Sequence, residues 1–218
     1  MRTLLLGGLL ATALGCGGGG QYDAPEPPAP EELDAITNLA LRAEVFAGQD
    51  LAVLPITLVV PDSTLVTGEL FQHRDILLRM ADSVIQSKLE SRAPDVAWEF
   101  PPELRRTAAR SPGVVPDPDR MGQSVMRTPS LENVPDPFRS NLRTLVGVTG
   151  GRLAFVPAAL VYSQPEPGTV TARLMVVMAD ARTGRVVWRS LARGNGGDLT
   201  RSLGAAMDAI LPIQTFNP

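Results

Sequence analysis

Apolar and polar positions follow two different periods along this chain, and each period predicts one kind of element. From His73 to Arg92 apolar residues recur every three to four positions, which predicts a long amphipathic helix. From Val170 to Asp180 two sets of side chains alternate, which predicts a strand with one set on each face of a sheet. The residues expected together on one face of this strand are Val170, Ala172, Leu174, Val176 and Met178.

The same patterns predict the remaining elements. Further helices are expected at Leu33–Phe46, Pro102–Ala109, Phe138–Val146 and Leu199–Leu211, and further strands at Leu51–Val60, Val96–Phe100, Leu153–Tyr162 and Arg185–Arg193. Asp198 is the expected cap of the last helix, and Gly184 is expected to supply a positive φ in the hairpin turn before the last strand. A bend or an edge position is expected at Pro55, because proline cannot donate a ladder hydrogen bond.

The order of these elements predicts an α/β (α+β) fold. A hairpin alone cannot bury its apolar faces, so helices must cover the sheet. We expect a mixed sheet of about five strands, with a C-terminal antiparallel meander, covered by two or three helices. Residues 111–137 form a proline-rich loop that is expected to be functional or mobile, and Gly194–Gly197 is expected to be a flexible connector.

The first 32 residues have the composition of a targeting and linking segment. A basic start and the short apolar run Leu4–Ala11 precede Ala13–Cys16, an arrangement that resembles a bacterial lipoprotein signal with its lipidated cysteine. The glycines and prolines after Cys16 predict a semi-rigid tether that reaches about 50 Å when extended. The predicted organisation is a signal peptide at 1–15, lipidated Cys16 with a tether at 16–32, and one α/β domain at 33–218.

Composition and charge narrow the function classes. The net charge of −3 offers no basic excess to neutralise a phosphate backbone, so nucleic-acid binding is not expected. Cys16 is the only cysteine and His73 the only histidine, which excludes cysteine clusters and multi-histidine metal sites. We therefore expect no cofactor and no metal, and we expect acyl chains at Cys16 to hold the protein to a membrane.

Four short segments, taken in order, resemble a known domain. They are Ala52–Pro55, Met80–Leu89, Gly150–Val156 and Asp180–Trp188. Together they are similar to the small α/β domain shared by the curli-secretion lipoproteins, the penicillin-binding-protein activator lipoproteins and the amino-terminal domain of TolB. The resemblance covers Leu51–Leu211, and the long segment 111–137 departs from it. It implies a non-enzymatic domain that works through protein contacts in the periplasm or by forming oligomers.

Three arginines form the main candidate interaction surface. Arg185, Arg189 and Arg193 recur along the predicted fifth strand. They are expected either to meet an acidic partner or to protect an edge strand by charge, and the second interpretation is favoured. Trp98 and Trp188 lie within predicted strands and are expected in the core, since an exposed tryptophan would indicate a partner surface.

The other candidates for chemistry are better explained as structural residues. His73 begins the longest predicted helix, and no nucleophile motif accompanies it. Asp117 and Asp119 lack the spacing of a calcium-binding loop and suit a turn. The remaining carboxylates considered, which the sequence gives no reason to pair, are Asp95, Glu99 and Glu103. No catalytic residue is therefore predicted.

These observations predict a non-enzymatic, lipid-anchored envelope protein that contacts another envelope protein or copies of itself. Gly17 follows the cysteine where lipoproteins retained in the inner membrane carry aspartate, so the outer membrane, with the domain in the periplasm, is the expected location. One alternative is a subunit of an outer-membrane secretion channel, which would need long amphipathic hairpins such as Val170–Arg193. A second alternative is a periplasmic hydrolase with residues 111–137 as its lid.

Overall fold

A six-stranded mixed sheet forms the centre of the computed structural model, which describes residues 39–63, 65 and 69–212. The strands are β1 (Asp50–Val53), β2 (Val59–Pro61), β3 (Ala97–Glu99), β4 (Leu153–Glu166), β5 (Thr169–Asp180) and β6 (Val186–Gly196). Their order is β3-β1-β4-β5-β6, and β2 also pairs with β4. The pairings among β1, β2, β3 and β4 are parallel, whereas β4, β5 and β6 form an antiparallel meander. The predicted signal peptide, Cys16 and the tether lie outside the described residues.

Helices cover both faces of this sheet. The α-helices of the described ranges are α1 (Glu69–Gln72), α2 (Arg74–Arg92), α3 (Pro101–Arg110), α4 (Phe138–Thr149) and α5 (Leu199–Ile210). α2 and α5 pack on one face, and α3 and α4 pack on the other. The predicted α/β (α+β) fold is confirmed. Nowhere in the described ranges is a helix both long and apolar enough to cross a membrane.

The alternation predicted for β5 places its side chains in two separate cores. Leu174, Val176 and Met178 lie in the core beneath α2 and α5, while Met175 and Val177 lie in the core beneath α3 and α4. All five side chains are at most 1% exposed. Because both faces of this strand are buried inside the domain, the channel alternative would require the hairpin to leave both cores.

The apolar run Leu51–Val60 forms two strands, so the prediction of a single strand is wrong. β1 and β2 lie one after the other beside β4, and the chain bends between them. In the bend, the Ile56 N–H donates to Asp82 Oδ1 at 2.8 Å, and the Pro55 carbonyl accepts from Gln123 Nε2 at 3.1 Å. The predicted bend at Pro55 is confirmed, and side chains from both layers satisfy backbone groups that the ladder does not.

The helix predicted at Leu33–Phe46 is wrong over its described part, and its first six residues lie outside the described part. Residues 39–42 are not helical, and a 3-10 helix follows at Ala43–Phe46. The Leu41 N–H donates at 2.8 Å to the carbonyl of Ile210, at the end of α5. A hydrogen bond to a distant element therefore replaces the helical one that the local pattern suggested.

Residues 111–137 are a packed layer of the domain. Two 3-10 helices, Pro118–Arg120 and Gln123–Arg127, lie within the segment. Its side chains in the second core are Val115, Met121, Met126 and Val134, all at most 5% exposed. The segment completes the layer of α3 and α4, so it could open as the lid of a hydrolase only by unpacking part of that core.

The prediction of a flexible connector at Gly194–Gly197 is also wrong. β6 continues to Gly196, and α5 crosses it at close range. A Cβ placed on Gly194 would lie 2.1 Å from the backbone nitrogen of Ala206. Glycine is needed at this position because a larger residue would overlap the backbone of the helix.

Candidate interaction surface

Residues 39–43 lie beside the edge of β6. The Leu39 N–H donates to Ser190 Oγ at 2.9 Å, and the Leu41 N–H is held by the end of α5. Leu41 and Ala43 are buried at 5% and 8% exposure, whereas Leu39 is 52% exposed. These contacts fix residues 39–43 against the domain and leave the Leu39 side chain at the surface.

An open groove of about 570 Å³ lies where this segment meets β6. We call it the entry groove; its apolar lining includes Leu39, Val45, Phe46, Val187 and Trp188. Val45 and Val187 are 57% and 52% exposed, much like Leu39. Single exposed apolar residues are ordinary, but several along one concave surface are typical of a binding site.

A β-bulge in β6 shapes the floor of the entry groove. Trp188 pairs with Met178 and Val186 pairs with Ala179, so Val187 is an extra residue that protrudes. Trp188 is half-buried against the core beneath α2 and α5, and its buried indole N–H has no acceptor among the described residues. Trp188 therefore lies at the margin of the core and not, as predicted, inside it.

Arginines form the polar rim of the entry groove. Arg42 and Arg152 line the groove itself, and Arg152 and Arg185 line an adjoining depression of about 370 Å³. Arg152 Nε donates to Asp180 Oδ2 at 2.7 Å, and the Thr183 N–H donates to Asp180 Oδ1 at 2.8 Å. Burial alone would raise the pKa of Asp180, but these hydrogen bonds outweigh burial and hold the pKa below its usual value. An ionised, buried carboxylate thus positions one of the rim arginines.

The three arginines predicted along β6, an edge strand of the sheet, lie in two different environments. Arg189 donates to the carbonyl of Thr128 and, at 2.8 Å, to that of Leu131, and desolvation lowers the pKa of its guanidinium. Arg185 and Arg193 are exposed. For Arg185 and Arg193, a role in protein contact stays a prediction. The contacts of Arg189 instead hold the segment 111–137 against the edge of the sheet.

The acidic residues of the long segment serve a turn, as predicted. Asp117 Oδ1 accepts the Asp119 N–H at 3.0 Å, and Asp119 accepts two N–H groups of Arg105 at 2.8 Å each. Arg105 also donates to Asp82 at 3.1 Å. Desolvation raises the pKa of Asp82, although its hydrogen bonds oppose that effect. This network joins α2, α3 and the segment 111–137 at the bend between β1 and β2.

The remaining candidates stand near the ends of helices and strands. His73 is exposed at the start of α2, and Asp95 is exposed in the turn before β3. Burial raises the pKa of Glu99, a hydrogen bond from Thr149 opposes this, and the charge of Glu103 adds to it. Across the described ranges, no group of three or more histidine, cysteine, aspartate and glutamate side chains is arranged to hold a metal ion.

Trp98 differs from Trp188 in that its polar atom is satisfied. Its indole N–H donates to the carbonyl of Ala93 at 2.9 Å, and its ring meets that of Phe155 edge to face at a centroid distance of 6.2 Å. The pair joins β3 to β4 across β1. We therefore assign Trp98 to packing and only Trp188 to the candidate surface.

Sequence reasoning missed most of the entry groove. Its lining comes from residues 39–49, 152–153, 180 and 187–188, which are far apart along the chain. Neither the helical nor the strand pattern of apolar residues predicts that these residues meet. The bulge at Val187 and the non-helical residues 39–42 bring them together. The only signal in the sequence was Trp188, which was expected to be buried.

Several solved structures of bacterial proteins are similar to this chain at low sequence identity. No family model matches the chain, and no curated protein matches it. LpoB from Escherichia coli is 12% identical, with 88% of this chain and 84% of that chain covered and a TM-score of 0.36. Lipoprotein GNA1162 from Neisseria meningitidis is 14% identical, with 68% and 81% covered and a TM-score of 0.32. The PelC dodecamer from Paraburkholderia phytofirmans is 14% identical, with 80% and 89% covered and a TM-score of 0.35. LpoB is a penicillin-binding-protein activator lipoprotein, one of the groups that the four sequence segments resemble.

Proposed function

We propose that this chain is a lipid-anchored, non-enzymatic protein of the cell envelope that works by contacting another protein. The leader that ends at Cys16 supports the anchor, and the tether that follows would let the domain stand away from the lipid. Gly17 favours the outer membrane, with the domain in the periplasm. The open entry groove supports the contact.

The observation that carries the proposal is the composition of the entry groove. It combines a half-buried tryptophan and exposed aliphatic side chains with a rim of arginines. Tryptophan and arginine are the residues that most often dominate the binding energy at protein interfaces. Arg42 lies 3.7 Å from Glu44, and Arg152 lies 2.6 Å from Asp180, so each already has a nearby carboxylate. The exposed charge of Arg185 at the rim favours an acidic group on the partner. We therefore assign to the groove a partner segment that carries both apolar side chains and carboxylates.

Photo-crosslinking from Val187 tests the contact in the lipidated protein in its native cells. A photo-reactive amino acid at Val187 should give one adduct of defined mass, because this side chain protrudes from the groove. The same amino acid at Val114, a 73% exposed valine between α3 and the 3-10 helices, should give none. Identical adducts at both positions would contradict the proposal, and an adduct of twice the chain mass would identify a second copy as the partner.

A charge reversal tests the chemistry assigned to that partner. Arg185→Glu should lower the yield of the Val187 adduct, because the new carboxylate repels an acidic surface. The matched control is Arg120→Glu, at a side chain that is 87% exposed and outside the entry groove, and it should leave the yield unchanged. A yield indifferent to Arg185→Glu would refute an acidic partner.

Metabolic labelling with a palmitate analogue tests the anchor separately. The chain should take up the label, and Cys16→Ala should abolish uptake because the acylated thiol is lost. Labelling that persists in Cys16→Ala would refute the anchor while leaving the protein contact to the crosslinking experiment.

A further inference from the structure

Four arginines gather around the turn that joins β5 to β6. Arg182 and Arg185 belong to the turn itself, Arg152 immediately precedes β4, and Arg139 lies in the first turn of α4. All four side chains are exposed. We call this set the arginine turn; its members come from three separate places along the chain, so only the fold brings them together.

Contacts within the domain hold the arginine turn in one arrangement. Asp180 Oδ1 accepts the Arg182 N–H at 3.0 Å, and Asp180 Oδ2 accepts Arg152 Nε at 2.7 Å. Arg139 lies directly against Gly184, because a Cβ placed on that glycine would be 2.5 Å from Arg139 Nε. A surface that is ordered before binding loses less conformational entropy when a partner binds it.

Most of the charge of the arginine turn is not compensated by an ion pair. Arg152 lies 2.6 Å from Asp180 and shares its charge with that carboxylate. Arg139, Arg182 and Arg185 form no ion pair with any residue that the structure describes. Three guanidinium groups at one turn therefore face solvent without a carboxylate in contact.

Nearby carboxylates reduce this positive charge without cancelling it. Glu132 and Asp136 belong to the segment that runs beside the turn, and both are exposed. Asp136 Oδ1 accepts the Ser140 hydroxyl at 2.7 Å. The four arginines outnumber these two carboxylates and Asp180, on a chain whose net charge is −3. The arginine turn is thus opposite in sign to the molecule as a whole.

The arginine turn is continuous with the entry groove. The depression of about 370 Å³ at the turn shares Arg152, Asp180 and Val187 with the groove. An extended protein segment whose apolar side chains fill the groove therefore continues over the turn. An anionic lipid surface fits less well, because the net negative charge of the chain repels it and a flat surface does not enter a groove.

We infer that the arginine turn is a second part of the docking surface and binds an acidic stretch of the same partner protein. The inference rests on the proposed role of the entry groove, and it adds Arg139 and Arg182 to the residues that recognise the partner. A guanidinium group binds a carboxylate through two parallel hydrogen bonds, so three of them at one turn select a partner with several carboxylates. The groove supplies apolar contact, and the arginine turn speeds association and disfavours basic partners.

Binding of a designed acidic peptide to the purified protein tests the inference. The probe is a dye-labelled peptide of four glutamates and two leucines, and its binding is followed by fluorescence anisotropy. Alanine at Arg139, Arg182 and Arg185 together should weaken binding about tenfold, because each exposed charge pair contributes about two- to threefold. Raising the salt concentration from about 0.05 M to about 0.5 M should remove most of this difference, since salt screens exposed charges.

A matched variant removes the same charge elsewhere. Alanine at Arg106, Arg110 and Arg120, which are exposed and lie outside the turn and the groove, should change the affinity less than about twofold. A second peptide with glutamines in place of the glutamates should bind the parent and the arginine-turn variant equally. If the urea midpoint of the arginine-turn variant falls below that of the parent, the three single alanine variants replace it, each expected to bind about two- to threefold more weakly.

Three results would overturn the inference. The first is unchanged binding of the acidic peptide to the arginine-turn variant, and the second is equal weakening in the matched variant. The third is capture of vesicles of anionic phospholipid that depends on the same three arginines, which would make a lipid surface the occupant.

Crosslinking in native cells separates this inference from the proposed function. A photo-reactive amino acid at Arg182 should give an adduct of the same mass as the adduct from Val187, because one partner covers both positions. An adduct at Val187 with none, or one of different mass, at Arg182 would refute the arginine turn and leave the groove contact intact. The absence of an adduct at Val187 would instead refute the proposed function, and with it the shared partner.

Discussion

Replacing Gly194 by alanine should force α5 away from the sheet. The Cβ of the new residue would lie 2.1 Å from the nitrogen of Ala206 and 2.3 Å from the carbonyl oxygen of Ser202. Ordinary contacts of a Cβ begin at 3.4 Å, so the separation must grow by about 1.3 Å. Both contacted atoms belong to the helix backbone, which cannot rotate away as a side chain would. The helix must therefore shift as a body, or the edge of β6 must bend.

The cost follows from what α5 buries. Leu203, Met207 and Ile210 are fully buried beneath it. Full burial of such side chains contributes about 1.5 to 3 kcal/mol each. A gap of about 0.5 to 1 Å already forfeits a quarter to a half of the dispersion energy across it. A loss of about a third over three side chains lowers the free energy of unfolding by about 1.5 to 3 kcal/mol, which agrees with measured costs of overpacking.

Urea unfolding followed by circular dichroism measures this loss. Gly197→Ala is the matched control, because its Cβ would meet nothing nearer than 3.7 Å and its φ lies outside the left-handed range. That substitution should leave the unfolding midpoint unchanged or raise it slightly, since alanine reduces the entropy of the unfolded chain. If Gly194→Ala unfolds within about 0.5 kcal/mol of the parent, the range of ordinary surface substitutions, α5 does not pack on β6 as described.

Two further predictions concern side chains around the entry groove and the sheet edge. Burial alone would raise the pKa of Asp180, but hydrogen bonds from Thr183 and Arg152 lower it overall, so folding favours the ionised carboxylate. Its stabilising contribution is present above the unfolded pKa of about 4 and lost as pH falls through the lower folded value. Asp180→Asn should therefore flatten the decline of the urea midpoint between about pH 5 and pH 3, and a parallel decline in both proteins would contradict this. Arg189→Ala should lower the free energy of unfolding by about 1.5 to 3 kcal/mol, because two carbonyls lose a charged donor, and should speed hydrogen exchange in residues 126–134. The exposed Arg185→Ala is its control, expected within about 0.5 kcal/mol of the parent, and equal effects of the two substitutions would refute the distinction between them.

Where a residue's neighbours along the chain decide its structure, the sequence was sufficient. α2 was predicted within one residue, from Arg74 to Arg92, because its apolar stripe is long. Asp198 caps α5 by accepting the Arg201 N–H at 2.7 Å, as its position before the helix predicted. Gly184 takes a φ of +78° in the hairpin turn. These features depend on periodicity and on hydrogen bonds within a few residues.

Where a distant element supplies the partner, the sequence misled. Residues 39–42 have a helical pattern but are held by Ser190 and by the end of α5. Gly196 ends a strand that α5 crosses closely, although a glycine-rich stretch usually indicates a loop. Arg189 appeared as a surface charge and is bound by carbonyls some 60 residues earlier. None of these partners could be identified before the chain was folded.

The sequence by itself determined the α/β class, the antiparallel meander, the long helix and the expectation of a lipid anchor at Cys16, because periodicity, capping and leader composition are local properties. Only the tertiary structure decided that residues 111–137 are a packed layer, that Arg189 differs from Arg185, and that an apolar groove with an arginine rim exists. The reason is physical: burial and concavity depend on which surfaces meet after folding, and neither is encoded in the spacing of neighbouring residues.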